Sequence, residues 1–275
     1  MQKQPIGFMD SGVGGLTLLK EALKRLPNED MVFIGDQARL PYGDKPAATV
    51  RQFAWQMTNF LMAHQIKALV VACNTATAAA LPDLQAQLSI PVIGVIAPGS
   101  QAALATTQNR HVGVIATTGT IHSGAYVHQL KALKPATHVT SLAAPTFVPM
   151  IEANQLQGPA VQATVDQALA PLVGSAIDTL ILGCTHFPLL TAAIQQTVGP
   201  EVVLVDPAHA AIDSLIQALQ DREELATAPT TGRLQTYTTG SVTNFETIAR
   251  QWLALPQLKA QQVIIKEAKN DGPNE

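Results

Sequence analysis

Charge and aromatic side chains are both scarce in this chain of 275 residues: Asp, Glu, Lys and Arg together make up 13% and Phe, Trp and Tyr 4%. Lysine plus arginine number 17 against 20 acids, a net charge of −3, and no stretch gathers the basic residues into a stripe. Without such a stripe or aromatics interleaved in it, a dedicated nucleic-acid binder is disfavoured and no direct nucleic-acid partner is expected. No uninterrupted apolar run approaches the ~20 residues that span a bilayer, so no membrane insertion is expected. The opening MQKQPIGFMDSG lacks the basic start and apolar core of a secretory signal, and the cytoplasm is the expected compartment. Cysteine occurs only twice, as Cys73 and Cys184, too few for a disulfide framework or a cysteine-only zinc site. The histidines show no metal-ligand spacing, His122 and His128 lying six apart rather than four, and no metal is expected.

What is abundant is small and aliphatic: 47% of residues are hydrophobic, enough for a sizeable core. Short apolar runs alternate with longer Ala/Leu/Gln stretches. Strands are expected at Pro5–Met9, Met31–Gly35, Lys67–Ala72, Pro91–Val95, His111–Ala116, His138–Ser141, Thr179–Gly183 and Glu201–Val205. Helices are expected at Leu16–Leu26, Ala47–Ala63, Ala76–Leu88, Ser100–Thr107, Ser123–Leu133, Pro159–Val173, Leu189–Val198, Ala208–Leu219 and Val242–Leu253. Runs such as ALVVA and TLILG suit strands covered on both faces, and the alternation implies an α/β fold with mostly parallel sheets flanked by helices.

The pattern repeats. LVVACNTATAAALP from Leu69 and LILGCTHFPLLTAA from Leu180 share an apolar strand, a cysteine, two polar residues and a proline-bearing helix. Gly7 and Gly113 are 106 positions apart, Cys73 and Cys184 111. Two similar lobes in tandem follow, with the cleft between them as the site: 1–95 plus 207–265, and 96–206, divided near the Pro/Gly-containing VIAPGS at Val95–Ser100. The chain is expected to return to the first lobe with its last helices, and 266–275 reads as a flexible polar tail.

Open α/β sheets bind ligands beyond the carboxyl ends of their strands. The polar residues there are Asp10 and Ser11, Asp36, Cys73 with Asn74 and Thr75, Thr117 and Thr118, and Cys184 with Thr185 and His186. A lone cysteine is ordinarily buried filler. Here the only two occupy equivalent positions, each read as preceding a helix, whose N-terminus lowers a thiol's pKa. If the lobes face each other, the thiols flank one cleft. Two acid/base groups on opposite sides of one carbon invert its configuration: a thiolate removes a proton from one face while a thiol protonates the other.

Gly12, Gly14 and Gly15 in DSGVGGLT let the backbone approach a small anion, although Thr17 stands where a dinucleotide fingerprint needs glycine. A tight strand–helix turn is the plainer alternative. Asp10 can cap that turn or meet a substrate ammonium, and Asp36 can cap or form an ion pair. His186, two residues after Cys184, can hold or relay a proton. Tyr42 and Gly43, in the turn LPYGD, offer polar contacts, the glycine through its backbone.

MDSGVGG at Met9–Gly15, PYG at Pro41–Gly43, ACNTA at Ala72–Ala76 and GCTH at Gly183–His186 together resemble the glutamate racemases of the aspartate/glutamate racemase superfamily. GVIATTGTIHSGAY at Gly113–Tyr126 and FVPMIE at Phe147–Glu152 are similar too, and the motifs keep family order from about Ile6 to beyond Asp206. The resemblance implies an isomerase: cofactor-independent, two-base racemisation of L- and D-glutamate, supplying D-glutamate for peptidoglycan synthesis, cell-wall biogenesis and cell shape in bacteria. It makes Cys73 and Cys184 the catalytic pair, Cys73 acting on D-glutamate and Cys184 on L-glutamate. It sets Asp10 beside Cys73 and His186 beside Cys184 as proton-handling groups. Ser11, Tyr42, Gly43, Asn74, Thr75, Thr117, Thr118 and Thr185, with Asp10 and His186, would bind substrate, and Asp36 and Glu152 would assist. It also implies a homodimer, and a DNA gyrase contact of the kind some members make. Gln37 replaces a smaller polar residue common in the family, and LAAPTF at Leu142–Phe147 has alanine where many relatives carry a cysteine. The first strand begins near Pro5, without the extension linked to activation by a nucleotide precursor, so no activator requirement is expected. Three alternatives stay open on the residues alone: a related racemase or isomerase acting on aspartate, hydantoins or maleate; a covalent thiol nucleophile built from Cys184 and His186; and a non-catalytic binder of small anions.

Overall fold

The structure, a computed structural model, describes residues 4–227 and 230–265; the tail 266–275, expected to be flexible, lies outside them. Two wholly parallel sheets organise the described residues. The first contains β1 (Ile6–Asp10), β2 (Met31–Gly35), β3 (Ala68–Val71), β4 (Val92–Gly94), β9 (Leu234–Thr238) and β10 (Ala260–Gln262), in the order β10-β9-β2-β1-β3-β4. The second contains β5 (His111–Ala116), β6 (His138–Ala143), β7 (Thr179–Gly183) and β8 (Val203–Val205), in the order β6-β5-β7-β8. Eleven α-helices connect them among the described residues: α1 (Leu16–Arg25), α2 (Ala47–Ala63), α3 (Asn74–Gln87), α4 (Ile96–Thr106), α5 (Thr118–His122), α6 (Ala125–Leu133), α7 (Phe147–Glu152), α8 (Pro159–Leu169), α9 (Thr191–Val198), α10 (Pro207–Asp221) and α11 (Val242–Leu253). Strands β1, β2, β3 and β7 are buried along their whole length, the burial their unbroken apolar runs require.

The internal repeat is visible in strand order and register. The order β2-β1-β3-β4 recurs as β6-β5-β7-β8. Gly7 pairs with Leu69 and Gly113 with Leu180. Each cysteine lies four residues beyond that leucine, just past the end of its strand.

Several elements differ from the sequence expectation, each for a local reason. Val95–Gly99, read as a break, is helical, because α4 starts at Ile96. Pro98 falls in the first turn, where the missing N–H has no intrahelical partner to lose, and Gly99 donates its amide to Val95. The helix expected from Ser123 starts at Ala125; Gly124, at φ +65°, separates it from α5, which the sequence reading left unassigned. Helix α7 was also unassigned. The chain returns to the first sheet with two strands as well as a helix. Strand β9 is LQTYT, too polar to stand out, yet it pairs with all of β2. Helix α11 was legible because Phe245, Ile248, Ala249 and Trp252 make one buried face. Helix α10 packs on both α1 and α4, and so touches helices of both halves.

Below the first sheet, Lys67 is fully buried. Its Nζ lies 2.6 Å from Glu29 Oε2 and donates to the Glu224 carbonyl at 2.6 Å, while Glu29 Oε1 accepts from the Ala226 amide at 2.7 Å. The pair pins the segment after α10 beneath the start of β3. Removing one partner strands a buried charge, so Lys67→Met is expected to cost about 3–5 kcal/mol, measured as a lower urea midpoint at unchanged m-value.

Candidate active site

The carboxyl ends of the two sheets meet. Cys73 follows β3 as the N-cap of α3, its sulfur accepting from the Ala76 amide at 3.4 Å and lying 3.6 Å from Ser11 Oγ. Cys184 follows β7 but does not cap a helix, contrary to expectation. Pro188 bends residues 187–190 into a 3-10 turn, and α9 begins only at Thr191. Both sulfurs belong to buried residues that line one cavity, together with Ser11, Tyr42, Gly43, Asn74 and Thr75 from one sheet's loops and Thr117, Thr185 and His186 from the other's. The cavity measures ≈ 20 Å³, room for about one water molecule. A larger cavity, ≈ 670 Å³, between α1 and the start of α10 is lined by neither cysteine; the chemistry selects the smaller one.

Dehydration dominates the electrostatics. Burial, reinforced by the negative charge of Asp10, pushes the Cys73 thiol up to about 12, against the relief given by the Ala76 amide and Ser11. This reverses the lowering expected of a helix N-terminus: one weak N–H contact does not replace a thiolate's lost hydration. Burial also raises the Asp10 carboxyl, although the His186 charge, the Gly12 and Gly15 amides and Thr185 oppose it. Asp10 shares the site with Cys73, but its hydrogen bonds run elsewhere. It accepts from the Gly12 amide at 3.0 Å and from Thr185 Oγ1 at 3.2 Å, the residue that follows Cys184.

His186 is held between two acceptors. Its Nδ1 lies 3.8 Å from Cys184 Sγ and its Nε2 2.7 Å from Glu152 Oε1. Burial disfavours its charge, yet the hydrogen bonds to Cys184 and Glu152 and their negative charge raise it to about 10. At neutral pH the ring is an imidazolium, with both N–H groups satisfied.

The remaining candidates divide. Asn74 Oδ1 accepts from the Tyr126 hydroxyl at 2.7 Å. Thr75, Thr117 and Thr120 form a triangle of hydroxyls at 2.9, 3.0 and 3.1 Å. Tyr126 and Thr120 were not singled out in the sequence, although both lie in GVIATTGTIHSGAY; their signal was polarity within an otherwise apolar, buried run. Thr118 does not line the cavity with the cysteines, because α5 turns it toward a neighbouring pocket. Asp36 is buried behind the cavity wall, where it accepts from the Tyr42 hydroxyl, Arg39 Nε (2.6 Å) and Thr239 Oγ1 (2.7 Å). The Tyr42 hydroxyl is thereby occupied, and what Tyr42 presents to the cavity is a positioned turn. Thr239, just after the unforeseen β9, completes this support.

The glycine loop lies outside the closed cavity. None of Gly12, Gly14 and Gly15 lines the cavity or has positive φ. A Cβ on Gly14 would lie 2.4 Å from both His186 Nδ1 and Thr185 Oγ1. Glycine is required there because the loops after β1 and β7 touch, and Thr17 clips the contact by donating to the Gly14 and Thr185 carbonyls. Among the described residues, no three His, Cys, Asp or Glu side chains cluster closely enough to hold a metal ion, and no helix is long and apolar enough to cross a membrane.

Twin half-sheets presenting matched cysteines to one cavity define a class, and the comparisons agree. The Asp/Glu/Hydantoin racemase family model matches residues 6–215. A glutamate racemase of Latilactobacillus sakei is 72% identical over 274 residues, all of both chains. The crystal structure of glutamate racemase isoform RacE1 from Bacillus anthracis superposes with a TM-score of 0.93 at 43% identity, covering 96% of this chain and 98% of that one. That of the Francisella tularensis glutamate racemase, in complex with D-glutamate, gives 0.91 at 34%, covering 98% and 100%. The chain belongs to the Asp/Glu/hydantoin racemase family and, within it, to the glutamate racemases.

Two expectations follow. Gly14→Ala forces the His186 loop outward and lowers kcat by about 100-fold, since displacing a catalytic group by about 1 Å is enough for that; racemisation assays set beside a thermal melt separate this from unfolding. Glu152→Gln removes one of the charges that raise His186, so the imidazolium is lost at lower pH. The alkaline limb of kcat/KM, set by the free enzyme, moves down from about pH 10 in the wild type. The same shift affects stability. With a folded value above the free value of 6.5, the contribution is full below about pH 6.5 and lost as pH rises through about 10 in the wild type.

Proposed function

We propose that this protein interconverts L- and D-glutamate by proton transfer at Cα between Cys73 and Cys184, with no cofactor. The observation that carries the reading is the convergence of two register-equivalent cysteines, one from each sheet, on the walls of one buried cavity. The charge pattern supports complementary starting states. Cys73, pushed up to about 12, rests as a thiol able to give a proton. Cys184 lies 3.8 Å from the Nδ1 of an imidazolium, so negative charge on its sulfur is paired rather than stranded. Cys184 then takes the α-proton of L-glutamate while Cys73 delivers one to the opposite face, yielding D-glutamate; the reverse reaction exchanges the roles. A covalent Cys184–His186 nucleophile would leave Cys73 without a part. The product serves peptidoglycan synthesis in this reading.

The amide of Asn74, held by Tyr126, and the hydroxyls of Thr75, Thr117 and Thr185 are placed to receive the substrate's polar groups. Asp10, fully buried and bonded to Thr185, supplies a carboxyl for its ammonium once the walls part. Glutamate is far larger than ≈ 20 Å³, so the walls part to admit it and re-form around it, excluding water from a carbanion-like transition state.

The test is incubation with L-glutamate in heavy water, following optical rotation and the Cα proton. Loss of rotation with deuterium entry is expected. Exchange with aspartate alone would reassign the substrate, and no exchange with either acid would reject the reading. Cys73→Ser and Cys184→Ser should each lower racemisation by about 10²–10⁴-fold, the usual weight of a general acid or base. Near-wild-type turnover by either would exclude the two-thiol mechanism.

A further inference from the structure

The cavity that holds the two thiols shares Gly43 and Thr75 with a second pocket of ≈ 440 Å³ on the other side of the same wall. The wall is thin. It consists of the Thr75–Thr117 hydroxyl contact at 2.9 Å and the backbone of Gly43 laid against Thr117 and Gly119. A Cβ on Gly119 would sit 2.8 Å from the Gly43 carbonyl oxygen, and one on Gly43 would sit 2.5 Å from Thr117 Cβ. Two glycine backbones and the small hydroxyls of Thr75, Thr117 and Thr120 therefore meet at the seam. It can open by a swing of Gly43 and Asp44 on Tyr42, whose buried ring stays bonded to Asp36. Elsewhere the cavity is walled by Leu40, Val148 and the buried catalytic loops, and the edge behind His186 carries the Glu152 carboxylate, which repels an anion.

The outer pocket suits what must pass. Its walls are small, with Ala47, Ala78 and Ala79 on one side and Ser123 on the other. Lys45 and His122 stand against a single acid, Asp44. Lys45 Nζ donates to the Pro41 carbonyl at 3.1 Å, which holds a positive charge directly over the turn that carries Gly43.

We propose that this pocket is the entry vestibule of the enzyme. A short dicarboxylate amino acid lodges there with a carboxylate toward Lys45, and passes to the thiols when the Gly43 turn separates from Thr117 and Gly119. The inference rests on the glutamate reading of the site, and the experiment keeps the two apart.

Ala47 is the exposed first residue of α2, lines the vestibule and touches none of the catalytic groups. Ala47→Trp fills the pocket. Because it slows entry and exit together, kcat/KM falls by about 10-fold, and the isotope effect of α-deuterated glutamate on kcat/KM shrinks toward unity. Damage to the catalytic geometry would leave that isotope effect unchanged or larger. Ala47→Glu is well tolerated by a helix N-terminus. It lowers kcat/KM by about 3- to 10-fold at low ionic strength, and the loss fades as salt screens it. Ala47→Gln, the uncharged control, shows no salt-dependent loss. Wild-type kcat/KM and isotope effect in Ala47→Trp, measured beside a racemising wild type, would overturn the vestibule. A wild type that exchanges no glutamate proton would instead remove the reading on which it rests.

Discussion

Water is nearly absent from the place where the charges are. A cavity of ≈ 20 Å³ is walled by two thiols, an imidazole and several hydroxyls, with a carboxyl immediately behind it. No group there can rely on solvent, so each must find a protein partner or give up its charge. Most features of the site follow from this. Asp10 is raised and bonded to two donors; Cys73 is raised and neutral; His186 keeps its charge only because acceptors stand at both ring nitrogens. Asp36 behaves in the same way one layer out, where Arg39, Tyr42 and Thr239 satisfy it and fix the turn that closes the wall.

The second constraint is duplication. One strand order, used twice, brings two cysteines to equivalent positions without any element shared between them. The copies then diverge in what surrounds the sulfur. Cys73 meets a helix amide and a serine; Cys184 meets a histidine backed by a glutamate. Symmetric scaffolding with asymmetric surroundings suits the proposed two-base reaction, in which one sulfur starts protonated and the other without its proton.

The β–α alternation, the repeat and both cysteines were legible because they rest on local signals: unbroken apolar runs, a recurring motif and two rare residues. Strand β9 was not, since Gln235 and Thr236 mask its period and only pairing with β2 makes it a strand. Val95–Gly99 misled because proline and glycine break helix interiors but not first turns. The need for glycine in the DSGVGG loop has a tertiary reason. Gly14 is glycine because His186 and Thr185, about 170 residues away, press on it, and no local pattern records that. The direction of the Cys73 shift was equally hidden, since it depends on how completely the site closes.

Resting asymmetry does not favour one product. The enantiomers of glutamate have equal free energies in water, so the catalysed equilibrium is one to one whatever the protein does, and the two values of kcat/KM must match. The His186–Glu152 pair therefore cannot be a device for making D-glutamate. In the proposed two-thiol reaction it determines which enantiomer meets an enzyme already in the matching protonation state. In that reaction one turnover of L-glutamate moves the proton to Cys184 and leaves the negative charge on Cys73, where burial and Asp10 oppose it. Asp10 is bonded to Thr185, next to Cys184, so the carboxyl that disfavours that charge also touches the loop of the other sulfur. A carboxyl raised by burial takes up a proton readily, and once neutral it no longer opposes the charge on Cys73. Dehydration, the constraint that shapes the resting site, thus also supplies the drive that restores it.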